Sequence, residues 1–156
     1  MSDIFLEHLQ VGSIAFSFST AKSCKKTAEE FLQVLKKYLP CLTRAVHDIE
    51  LICQAQDWEP IRDIPVKIRT SLVHRGVRPA GQFQPAGVTI EINASKLKKI
   101  KAQIRRVDSS DPELLKQISE NLHQYWLEIF LHEVAHYLTP DEDEAEEYMK
   151  EWMLAL

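Results

Sequence analysis

From Pro112 to Leu138 neither glycine nor proline interrupts the chain. The run opens on DSSDP, where Asp111 has the chemistry of a helix cap and Pro112 suits the first helical position. A single long helix is the expectation. Its second half is apolar around much of its circumference (Trp126, Leu127, Ile129, Phe130, Leu131, Val134, Ala135). Such a helix has to be buried against other elements, so the rest of the chain must supply a surface for it to lie on.

The preceding sequence supplies one. Ile14–Ser19 (IAFSFS), Val66–Ser71 (VKIRTS) and Val88–Asn93 (VTIEIN) alternate apolar and polar residues and read as strands. Thr27–Tyr38 and Leu42–Gln56 carry apolar residues at helical spacing, with Pro40 between them. Asp57–Pro65 reads as a loop. HRGVRPAGQFQPAG, between the last two strands, is rich in turn residues, and the pair is expected to be antiparallel, with a long connection or a short extra strand at Gln82–Gln84. Ser95–Val107 reads as a basic amphipathic helix. The expected architecture is α+β: a small antiparallel sheet packed on the long helix. At 156 residues, 45% hydrophobic and 27% charged, the chain suits one domain, 1–156, in which residues 1–60 are largely helical.

The three cysteines, Cys24, Cys41 and Cys53, form no CxxC pair, so buried thiols are expected rather than a disulfide framework. No signal segment or spanning helix is evident, which makes a cytoplasmic protein the expectation. The net charge of -4 exerts no general pull on nucleic acid. The cations of 96–106 read as a solvated helix face, with an acidic partner as the functional alternative.

Within the long helix stands HEVAH. His132 and His136 are four apart, which brings their Cβ atoms within about 5–6 Å on one face. Two imidazoles so placed can share one metal ion. Glu133 lies ~100° further round, too far to be a third ligand and well placed to take a proton from an activated water. The bland alternative is a helix with two hydrogen-bonded core histidines. His123 points to the opposite side of the helix, and His8, His47 and His74 have no neighbour at ligand spacing.

A catalytic zinc takes three protein ligands and keeps one position open. After HEVAH, Thr139-Pro140-Asp141-Glu142 reads as a helix start, with Thr139 as N-cap and Glu142 closing a capping box. On the helix that follows, Ala145, Tyr148, Met149, Trp152 and Met153 form the inward stripe. Glu142 and Glu146 flank it, and Glu144 lies on its other side. Glu142 and Glu146 are thus the best-directed candidates for the third ligand, with Glu144 as the further alternative.

HEVAH followed by E-x-x-A-E resembles the gluzincin branch of zinc metallopeptidases. Residues 66–153 are similar to compact ImmA/IrrE-type and minimal gluzincin domains. The resemblance implies a zincin-like fold, a Zn2+ held by His132, His136 and Glu142, Glu133 as general base, and a protein or peptide substrate. It makes Glu146 a polar companion of a ligand. It also implies that an edge strand, with Val88–Asn93 as the candidate, pairs with extended substrate. The competing expectation is a catalytically silent zincin-fold binding or regulatory protein.

Overall fold

The computed structural model describes residues 3–70, 81–84, 89–105 and 110–156, with the backbone of 81–84 and 103–105. The elements in order are β1 (Ile4–Val11), β2 (Ile14–Thr20), α1 (Lys25–Lys37), α2 (Leu39–Ala55), β3 (Asp63–Arg69), β4 (Gly81–Gln84), β5 (Thr89–Asn93), α3 (Ala94–Arg105), α4 (Pro112–Ala135) and α5 (Glu142–Met153). The strands form one sheet in the order β1-β2-β3-β5-β4. The α+β class holds. The sheet itself is mixed, not antiparallel: β1/β2 and β4/β5 are antiparallel, while β2/β3 and β3/β5 are parallel.

Both parallel pairs follow from their connections. The α1–α2 pair between β2 and β3 is long enough to return the chain to the end where it started, as a parallel crossover requires. Between β3 and β5 the chain makes β4, which reverses direction before β5 and leaves β5 running the same way as β3. The short extra strand at Gln82–Gln84 is thus present, one residue longer. Ser71 and Val88 lie outside the described residues.

β1 is an element that periodicity did not reveal. Its register with β2 shifts between Phe5 and Glu7, so the apolar residues Ile4, Phe5, Leu6 and Leu9 break alternation. The N-terminal part accordingly opens with a hairpin ahead of the two helices α1 and α2. Gly12 opens the hairpin turn with φ 57°, the left-handed geometry that tight hairpins favour. A Cβ there would meet Glu50 Oε1 at 3.0 Å and Val46 Cγ1 at 3.1 Å.

Ile14, Phe16 and Phe18 of β2, Ile64, Val66 and Ile68 of β3, and Ile90 and Ile92 of β5 are buried. These strands present one apolar face, and α4 lies on it through Phe130. That ring meets Phe16 edge-on at 5.5 Å, stacks near Phe18 at 6.1 Å and touches Phe31 of α1 at 6.2 Å. Trp126, one turn earlier, packs on Phe31 at 6.0 Å. The aromatic anchor fixes the rotation of α4 two residues before His132. On the other side of α4, α5 buries Ala145, Met149 and Trp152. The Trp152 indole N–H donates to Asp48 Oδ2 of α2 at 2.7 Å, and Arg44 of α2 pairs with Glu151. The buried residues of sheet and helices belong to one continuous core cluster.

Candidate metal centre

α4 ends sooner than its sequence implies, at Ala135 instead of Leu138. His136 is the C-cap, and the amides of Tyr137 and Leu138 donate back three residues, to Val134 and Ala135. This tightening is a common way to satisfy the last carbonyls of a helix. The start of the next helix also differs. The N-cap of α5 is Asp141, whose carboxylate accepts from Glu144 N at 2.9 Å; a charged acceptor makes the stronger cap bond. Thr139 is used inside the turn. Its hydroxyl accepts from Asp141 N at 3.1 Å and donates to Glu144 Oε2 at 2.7 Å. The compact turn folds the first turn of α5 directly back over His132 and His136.

The two rings stand 5.0 Å apart between centroids, almost perpendicular at 82°. His132 Nε2 faces Glu142 Oε2 at 2.8 Å, and His136 Nε2 faces Glu142 Oε1 at 3.1 Å. On the far side of each ring there is a second acceptor. His132 Nδ1 meets Glu146 Oε2 at 3.1 Å, and His136 Nδ1 meets the Thr139 carbonyl at 2.9 Å. Glu142 therefore spans both imidazoles. Glu146 sits behind one of them, and Glu144 contacts the Thr139 hydroxyl instead of a ring.

This pattern has a chemical consequence. A neutral imidazole has a single N–H, yet each ring faces acceptors at both nitrogens. Donation from Nδ1 leaves a lone pair on each Nε2, pointing at a carboxylate. The arrangement calls for positive charge between the Nε2 atoms and Glu142: either an extra proton on each ring or one divalent cation shared by both. A tetrahedral zinc with bonds of about 2.0–2.2 Å separates its ligand atoms by roughly 3.3–3.5 Å. The observed contacts, 2.8 Å to one Glu142 oxygen and 3.1 Å to the other, are of hydrogen-bond length and shorter than that, so the site would have to open to hold the ion. The donor set of two imidazoles and a carboxylate suits zinc.

Glu133 is 6% exposed. Burial pushes its carboxyl up to about 7, with His132 pulling it down and Glu142 adding to the rise. Its Oε2 is buried and has no hydrogen-bond partner among the described residues. One ligand-type atom from each of His132, Glu133 and His136 lies within 4.8 Å of the others. Compactness alone would make that trio the metal cluster. Glu142, for its part, contacts both Nε2 atoms directly, so both glutamates stand beside the histidine pair.

The strand expected to receive substrate is placed differently from its sequence reading. β5 lies between β3 and β4, so both its edges are paired. Alternation marks a half-buried strand but not its place in the sheet. The edge strands are β1 and β4, and of these β4 packs beside α4. In the basic helix α3, Leu97 is buried and Lys101 is tied to Glu30 of α1 at 2.5 Å, whereas Arg106 lies outside the described residues. His123 is half-buried, and burial lowers its pKa; His74 lies outside the described residues. The three cysteines are free and buried. No helix among the described residues is long and apolar enough to cross a membrane.

Sequence reasoning missed the Thr139 carbonyl as a partner of His136; the Thr-Pro pair was its only signal. It also missed Tyr125 and Glu128, which line a cleft beside His132. Comparison with protein-family models, curated proteins and solved structures finds no match to this chain.

Proposed function

We propose that this protein is a zinc-dependent metallopeptidase. The observation that carries the reading is the convergence of His132 Nε2, His136 Nε2 and both Glu142 oxygens, with each Nδ1 already engaged from behind. Carboxylate and carbonyl partners at Nδ1 fix the tautomer that a histidine ligand needs and strengthen its donor nitrogen. His132, His136 and Glu142 would hold the ion. Zinc bound there supplies Lewis acidity toward a water and a carbonyl oxygen.

The chain's own residues account for the proton traffic. Glu133 is the general base: it stands next to His132 in the chain and lines the cleft beside it, where a water would stand. Glu133 would accept that water's proton and deliver it to the amine leaving as the peptide bond breaks. The edge of β4 offers backbone groups to an extended peptide, in the manner of strand addition.

The test is peptide hydrolysis by zinc-loaded wild type and by Glu133→Gln. Cleavage should fall by at least ~10²-fold in the variant, the usual contribution of general acid–base catalysis, while zinc stays bound. Equal cleavage by both proteins would assign the proton transfer elsewhere. Zinc binding with no cleavage by either would favour a binding or regulatory protein.

A further inference from the structure

Beside His132, residues of α4 and α5 line an open cleft of about 220 Å³. Its lining includes the apolar groups Ile129, Met149 and the ring of Tyr125. The rest of the lining is three carboxylates, Glu128, Glu133 and Glu146, and a single imidazole, His132. Glu133 is more than nine-tenths buried, with an unpartnered carboxylate oxygen. The cleft is therefore short of positive charge. Glu128 registers the same deficit: burial and the nearby Glu146 raise its pKa, and Lys150 offsets this only partly.

We propose that this cleft is the subsite for a lysine or arginine side chain of the peptide substrate, with Glu128 and Glu146 as the counter-charges. Its position next to the scissile bond rests on the metallopeptidase reading. The fit itself rests on the cleft. A basic side chain has an apolar stem and a charged tip. The stem would lie along Ile129 and Met149, and the tip would reach Glu128 and Glu146, with the Tyr125 ring able to receive the cation on its face. An acidic side chain would meet like charge, and an aliphatic one would cover carboxylates without pairing them.

Two measurements test this. The first compares kcat/KM of zinc-loaded protein on peptides that differ at one residue beside the cleaved bond: lysine, arginine, norleucine or glutamate. Lysine and arginine should exceed norleucine by ~10–100-fold, the range of charge-assisted hydrogen bonds, and glutamate should be poorest. The lysine-to-norleucine ratio should collapse toward one in Glu128→Gln and persist in Glu147→Gln, whose side chain is exposed on α5. The second follows, by NMR titration of metal-free protein, binding of N-acetyl-lysine methylamide against its norleucine analogue. The lysine compound should bind, weaken with salt and be lost in Glu128→Gln, with circular dichroism checking the fold. Equal cleavage of lysine and norleucine peptides overturns the subsite and leaves the metallopeptidase reading standing. Lysine-compound binding without cleavage of any peptide keeps the lysine-binding cleft and overturns the peptidase reading. A second equivalent of zinc that is lost in Glu128→Gln would give the cleft to a metal ion and overturn the proposal.

Discussion

Glu133→Gln should reverse a pH-dependent weakness of the metal-free protein. The carboxyl moves from an ordinary 4.5 to about 7 on folding, chiefly through burial. Between those values the folded state holds a proton that the unfolded chain has released. A raised folded-state pKa contributes stability that is fully present below pH 4.5 and lost as pH rises through 7. At about 1.4 kcal/mol per pH unit, the loss amounts to about 3 kcal/mol by pH 8. Glu133 is 6% exposed, so solvent screening does little to reduce it. Glutamine keeps the shape and cannot ionise. Urea unfolding in the presence of chelator, from pH 4 to pH 8.5, gives the comparison. The difference in unfolding free energy, variant minus wild type, should grow by about 3 kcal/mol across that range. Zinc should shrink it, because a cation beside Glu133 favours the ionised carboxylate. Parallel pH profiles for the two proteins would refute the argument that Glu133 is a buried, uncompensated acid.

The third-ligand assignment gives an ordered set of zinc affinities: Glu144→Ala near wild type, Glu146→Ala weaker by ~10–100-fold as for a partner behind a ligand, and Glu142→Ala weakest, all readable by competition with a chromophoric chelator. A Glu144→Ala loss larger than that of Glu142→Ala would move the ligand. Phe130→Ala removes the ring shared by β2, α1 and α4 and should cost about 3–5 kcal/mol of stability, measured by denaturant unfolding. A loss below ~1 kcal/mol would mean that α4 is anchored elsewhere.

The legible regions of this fold were those where one local signal dominates. Ile14–Ser19 alternates cleanly and became β2. The Asp111-Pro112 start of α4 was readable because cap and proline chemistry act within a few residues. HEVAH was readable for the same reason, since i,i+4 spacing on a helix is local geometry. β1 was hidden because its bulge mixes the two faces. The parallel pairing of β3 with β5 depends on β4 and on where the chain turns, and neither alternation nor composition carries that direction. Around the site, Glu142, Glu144 and Glu146 could not be separated by helical wheel alone. Their different contacts, Glu142 with both Nε2 atoms, Glu146 with His132 Nδ1 and Glu144 with the Thr139 hydroxyl, follow from the turn at Thr139–Asp141, where the Asp141 cap starts α5 later than Thr139 would have done. Glu128 and Tyr125 gave no signal because their significance lies in a cleft between two helices.

The central claim is that His132, His136 and Glu142 hold one zinc ion. Native mass spectrometry of the purified protein, with added zinc and moderate chelator, tests it most directly. One zinc per chain in wild type, and none in the His132→Ala/His136→Ala double variant at the same fold content, is the predicted result. Zinc that is absent from the wild type, or retained at full occupancy in the double variant, would contradict the account.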